Sequence, residues 1–225
     1  MRKGEAKRQE MLAASERLFL SKGYDATSVQ DILDVLHASK GGFYHHFASK
    51  EEVLKLLCAQ RAERAAVCAA GQLEAARGDM ARINAVLYAF MPLRIEEAEF
   101  LRMLTPLIER SEGRAMAMIY QDALRASFLP LLAQEIAAAA VNGTVYPTVR
   151  GMEEMVLHLV NHCWMRIVSM LSEAAREGGR VEAGTLLTEM ERYRRAVEVL
   201  LDAPYGSVEL VRVEELSAVC DTLRS

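Results

Sequence analysis

Little in this chain of 225 residues is set up for covalent or metal chemistry. It has four cysteines (Cys58, Cys68, Cys163, Cys220), with no C-x-x-C pair and no disulfide-like framework. Each sits in an apolar, helix-like context, where a free thiol behaves as a small hydrophobe. No segment alternates apolar and polar residues over the length of a strand, which argues against a sandwich or barrel. No glycine-rich phosphate loop, carboxylate dyad or nucleophile–base pair is visible, so an enzyme is not expected. No uncharged apolar run reaches the ~18 residues of a membrane span, and the basic start passes into an amphipathic pattern without the apolar core of a signal peptide. The expected setting is a reducing cytoplasm, with no membrane partner, no cofactor and no metal.

Excess charge of one sign is also missing. The net charge is -4, so the chain does not coat nucleic acid by bulk attraction. The distribution is uneven, however. Residues 1–55 carry +1 and the remainder -5, and Arg2, Lys3, Lys7 and Arg8 fall within the first eight positions. Such clustering matters more for phosphate contact than the total does.

What the chain has is helix-forming residues. Apolar types make up 52%, enough for a sizeable core. A first helix is expected over about 5–21, with the stripe Met11, Leu12, Ser15, Leu18, Phe19 and a stop at Gly23. A short helix follows Ser28, with Asp31 completing a near-capping box. His37-Ala38 breaks it. Ser39 caps a second short helix ending near Phe47, and Ser49 with Glu52 forms a capping box ahead of a helix to about Ala76. At ~1.5 Å per residue that helix spans ~40 Å and can act as a lever. Further helices are expected near 79–95, 97–112, 115–140, 149–177 and 185–202. Pro92, Pro106 and Pro130 should kink or end them. A tail helix near 212–224 is suggested by Val213, Leu216, Val219 and Leu223.

The stretch SKGGFYHHF, Ser39 to Phe47, is unsuited to being plain core. Only Phe43 and Phe47 can face inward together, leaving Lys40, Gly41, Tyr44 and His45 outward. Each glycine costs ~1 kcal/mol of helix stability relative to Ala. Two together suggest a helix start that something approaches closely, and an anion suits such a start. Helix, short helix, turn, short helix, long helix is the order of a helix-turn-helix with supports.

Thr27-Ser28-Val29 with Asp31-Ile32, then Ser39 to Phe47, then Ser49-Lys50-Glu51-Glu52 with Leu54, together resemble the DNA-binding domain of TetR-family transcriptional regulators. The likeness covers roughly residues 7–57. It implies an all-α fold, with an N-terminal three-helix helix-turn-helix domain over 1–55 (the motif at about 28–47). A larger helical regulatory, ligand-binding and dimerisation domain would occupy 56–225. It further implies that Lys40, Gly41, Tyr44 and His45 face the major groove or its phosphates, that Ser28, Ser39, His46 and Lys50 hold the DNA backbone, and that Gly42 belongs to the DNA-binding set without a side-chain contact of its own. Lysine and histidine donate to bases or phosphate, and tyrosine adds an apolar face and a hydroxyl. Three features depart from the family pattern. Gly42 stands where a small polar or methyl-bearing residue is usual. His37 replaces the turn glycine. Leu33 and Leu36 replace smaller residues.

In the larger part, the 149–177 segment is apolar nearly all round, so it must touch a core and also a partner or a cavity. The resemblance implies a four-helix dimer interface from the last two major helices, here Met152, Val156, Leu159, Cys163, Ile167 and Met170 with Leu186, Met190, Tyr193 and Val197. Ten of the 12 methionines lie beyond residue 79. Core is the commoner use of methionine at helical spacing, but Met also lines adaptable pockets. Phe90, Met103, Leu104, Tyr120, Leu124 and Phe128, with His158, His162 and Met165, are the candidates for a ligand cavity. His158 and His162 share a helical face at a spacing that can bind a metal, but no third ligand stands near. The expectation is a homodimeric, sequence-specific repressor of a palindromic operator, released by a small apolar or amphipathic effector. The alternative is a helical protein-interaction module without DNA binding.

Overall fold

The computed structural model describes residues 3–108, 111–179, 181–212, 215–216 and 218–219, without the side chains of 3, 95, 104–117 and 175. Among the described residues the chain is helical and has no strand. The elements are α1 (Lys3–Lys22), α2 (Val29–Leu36), α3 (Lys40–His46), α4 (Lys50–Ala75), α5 (Asp79–Phe90), a 3-10 turn (Ile95–Glu97), α6 (Ala98–Ile108), α7 (Ser111–Val141), α8 (Met152–Arg176) and α9 (Ala183–Leu201).

The first three helices close around Met11, Leu12, Phe19, Ile32, Leu33, Phe43 and Phe47, with Val53 and Leu54 from the start of α4 beneath them. Helix α4 then runs unbroken into the larger part, where it packs on α5 and α7. Its 26 residues span ~39 Å. The capping of α4 differs from the expected box. Ser49 Oγ accepts from Glu52 N at 3.1 Å, but the Glu52 carboxylate takes the N–H of Ala48 at 2.5 Å. The return bond has moved back one residue, with Ser49 fully extended (φ -161, ψ 167).

Helix α5 ends at Phe90, earlier than its apolar pattern suggested, since Pro92 cannot continue it. Pro130 does not end α7, which passes through it for 31 residues; the proline is solvent-exposed there. Arg82 of α5 ties three helices together: it pairs with Glu135 of α7 at 2.6 and 2.8 Å and donates to Leu73 O of α4 at 2.9 Å. Met118–Val141 is long and apolar enough to cross a membrane by length and composition. Tyr120, Leu124, Phe128, Leu132 and Ile136, four apart, are all buried in the core, as on a helix packed by one face. The expected tail helix lies mostly outside the described residues, although Leu216 and Val219 are buried.

Candidate nucleic-acid interface

The helix-turn-helix is built by three serine caps. At Ser28, Oγ accepts from Asp31 N at 3.1 Å, while the Asp31 carboxylate takes the Ser28 N–H and hydroxyl, each at 2.6 Å. That carboxylate also holds Lys22 Nζ at 2.8 Å. Lys22 and the Ser28 bonds keep the Asp31 carboxyl far below the usual carboxylate range. The turn pivots on His37, in the left-handed region at φ 48 and ψ 40, with its N–H on Asp34 O and Leu33 O. This is the conformation that glycine takes at little cost. Ser39 then caps α3 through Gly42 N at 3.1 Å.

Helix α3 is fastened from beneath by Phe43 and Phe47, both buried, with ring centroids 5.4 Å apart. Lys40, Gly41, Tyr44 and His45 are exposed and His46 is half-exposed. Tyr44 leans its ring edge on Phe43 at 5.4 Å and keeps half its surface in solvent. The two glycines differ. A Cβ on Gly41 would meet open space, whereas one on Gly42 would approach Ser39 Oγ at 3.3 Å. Gly42 therefore keeps the cap uncrowded.

Two of the expected backbone-holding residues are engaged elsewhere. Lys50 points into the domain, donating to Tyr24 O and Thr27 O at 2.8 Å each with its ammonium 4.1 Å from the Tyr24 ring centroid. Partial burial lowers its pKa. It clamps the α1–α2 loop onto the start of α4 and is not free for phosphate. The Ser28 hydroxyl is satisfied both as donor and as acceptor by Asp31. Ser39 Oγ is engaged as an acceptor. Of the basic N-terminal cluster, Lys7 pairs with Glu10 at 2.8 Å and Arg8 lies 5.4 Å from the Phe47 ring centroid. Arg2 and the Lys3 side chain lie outside the described residues.

This geometry is matched in known proteins. Residues 11–57 fit the family model for bacterial regulatory proteins, tetR family. Over this amino-terminal segment the chain is similar to the TetR family. It is 32% identical to the HTH-type transcriptional repressor AcnR of Corynebacterium glutamicum over 97 residues, 42% of this chain and 50% of that one. It is 44% identical to the HTH-type transcriptional regulator YerO of Bacillus subtilis over 52 residues, 23% of this chain and 18% of that one. The chain thus spans half or less of the length of these curated relatives. The solved structure of Salmonella enterica GusR shares the fold, with a TM-score of 0.56 at 18% identity, covering 87% of this chain and 95% of GusR.

Beyond the TetR-family domain, the expected ligand residues separate into two groups. Phe90, Met103, Tyr120, Leu124 and Phe128 are buried, with Phe90 and Phe128 edge to face at 5.5 Å. Tyr120 bridges Phe100 at 5.2 Å and Trp164 at 6.2 Å. A cavity of about 50 Å³ lies at the edge of this cluster, beside Phe90, Gln121, Leu157 and Asn161. His158 also lines this cavity, whereas His162 is not among its lining residues. Both are exposed on the outer side of α8, where His162 Nδ1 lies 2.7 Å from Tyr193 Oη on α9. Met165 is half-buried, and the Leu104 side chain lies outside the described residues. Among the described residues no group of three or more His, Cys, Asp or Glu is placed to hold a metal.

The expected interface residues need a similar correction. Met152, Val156, Cys163, Ile167, Leu186, Met190 and Val197 are buried within the single chain. They pack α8 and α9 onto each other and onto the core, so they present no outer face. Leu159, Met170 and Tyr193 are partly exposed. The outward apolar surface of these helices is instead a groove of about 840 Å³ lined by Met155, His158, Leu159, Arg192, Arg195, Ala196, Val199 and Leu200.

Sequence reasoning also missed Arg61 of α4. It pairs with Glu16 of α1 at 2.7 Å and Glu97 at 2.9 Å, and its guanidinium carbon lies 4.3 Å from the Phe100 ring centroid. Partners 45 and 36 residues away leave no local spacing signal.

Proposed function

We propose that the protein is a homodimeric transcriptional repressor that binds a palindromic operator through α3 and leaves it when a small molecule enters the larger helical part. The reading rests foremost on one observation: α3 exposes Lys40, Gly41, Tyr44 and His45 together while only two rings fasten it inward. A helix kept for packing alone has no use for that polar-aromatic face. In this reading Lys40, Tyr44 and His45 meet base edges and phosphates, Gly41 lets the DNA backbone come close, and Ser39, Gly42 and His46 border the contact. The named repressor among the relatives supports the same reading. The two helical units, about 1–55 and 56–225, are joined by α4. Two copies would meet through the α8–α9 groove, setting two α3 helices about one DNA turn (~34 Å) apart.

The test is a mobility-shift titration against DNA flanking the chain's own coding region. Sequence-selective, salt-sensitive binding is expected. Lys40→Ala and Tyr44→Ala should each weaken it by about 1–3 kcal/mol, on the order of 10- to 100-fold. Binding unchanged by both substitutions in folded protein would remove α3 from the interface. Absence of any selective shift would favour the protein-interaction module.

A further inference from the structure

The connection from α5 to the 3-10 turn does not run over the surface. Met91 and Leu93 are fully buried, and Arg94 after them is only 8% exposed. Connecting segments usually lie outside, and arginine is almost never buried unless paired. Among the described residues, Arg94 Nε is a buried side-chain nitrogen with no hydrogen-bond partner. The carboxylates of its neighbourhood are engaged elsewhere. Glu97, whose N–H donates to Arg94 O at 3.0 Å, spends its carboxylate on Arg61 at 2.9 Å. Glu215 accepts from the Tyr88 hydroxyl and pairs with Arg212 at 3.6 Å. Arg94 follows α5, six residues after Tyr88 and just ahead of the 3-10 turn.

We propose that Arg94 anchors the effector site and that the effector carries a carboxylate. A guanidinium met side-on binds a carboxylate through Nε and one terminal nitrogen, as two parallel bonds. The open Nε is one half of that pair. Tyr88, six residues before Arg94, lines a cleft of about 510 Å³ between the end of α4, α5 and the C-terminal segment, a size that admits the apolar part of such a ligand. Glu97 stands three residues after Arg94, its N–H on Arg94 O and its carboxylate on Arg61. Arg61 is the cation that ties Glu97 to Glu16 of the DNA-binding unit, which gives the ligand a route to α1. Only that last consequence rests on the repressor reading; binding itself does not.

The experiment is thermal denaturation of the full chain with octanoate, decanoate, benzoate and phenylacetate, each beside its own amide at equal concentration. At least one acid should raise the melting temperature in a dose-dependent way that its amide does not match. Arg94→Gln, which keeps polarity without charge or fork, should weaken that acid at least tenfold. No acid outperforming its amide, or an Arg94→Gln protein that binds the acid as the parent does, would overturn the proposal. Arg94→Lys serves if Arg94→Gln does not fold. If neither folds, Arg94 is structural and the proposal fails. Mobility shifts on the same samples keep the two readings apart. An acid preference without DNA binding sinks the repressor, and DNA binding without an acid preference sinks the Arg94 site.

Discussion

Lys40 and Lys50 stand ten residues apart in the same motif and do opposite things. Lys40 is exposed, with no hydrogen bond or ion pair to another described residue, while Lys50 is held by two carbonyls and a ring. Hydrogen bonds to a charged donor contribute about 1.5–3 kcal/mol, discounted here because Lys50 is only partly buried. Lys50→Ala is therefore expected to lower unfolding stability by about 1–2 kcal/mol in a urea titration. Lys40→Ala should change it by less than about 0.5 kcal/mol and act on DNA affinity alone. Equal stability effects would mean that the inward clamp is absent in solution. The resemblance assigned Lys50 to the DNA backbone, and the sequence offers no sign to the contrary, because the carbonyls it holds belong to a loop over 20 residues upstream. The caps at Ser28 and Ser39, whose partners lie three residues on, were readable from sequence. So was the place of His37, a non-glycine residue where the turn glycine is usual and where the structure has a positive φ.

Helices were legible for the same reason: period and caps are local. What was not legible is how each helix is turned. Helix α8 is apolar nearly all round, so its sequence could not say which face meets its own chain and which meets solvent: seven of the ten expected interface residues are buried within the chain, while Leu159, Met170 and Tyr193 keep surface. Bridges between elements were hidden too, and the Arg61 node is the most consequential. It joins α1, α4 and the 3-10 turn through Glu16 and Glu97, all three side chains no more than about a fifth exposed. Screening is weak at such positions compared with the open surface. A double-mutant cycle with Glu16→Gln and Arg61→Met, read by urea unfolding, should return a coupling of about 1 kcal/mol or more, within the 0.5–3 kcal/mol usual for residues in contact. A coupling below about 0.3 kcal/mol would reduce the node to a surface pair and remove it as a mechanical link between the two helical units.

At the scale of the whole molecule, the proposed repressor needs its α3 in a pair, and the pairing surface must be one that a single chain leaves open. The α8–α9 groove meets that condition: Val199 is 60% and Met155 49% exposed, framed by Arg192 and Arg195. Exposed apolar side chains gathered in one groove mark an interaction site more strongly than scattered ones do. Because Val199 makes little contact within its own chain, Val199→Glu should leave the fold intact and act on assembly alone. Sedimentation velocity is expected to find the parent as a dimer at micromolar concentration and the variant as the 25.0 kDa monomer. Losing the second half-site removes an avidity on the order of 10²- to 10⁴-fold, so operator affinity should collapse although α3 is untouched. Val67, 68% exposed on α4, is the control: Val67→Glu adds the same charge to an equally open valine away from the groove and should change neither mass nor affinity. If Val199→Glu stays dimeric, the chains pair through another face, and the spacing of the two α3 helices must be set there instead.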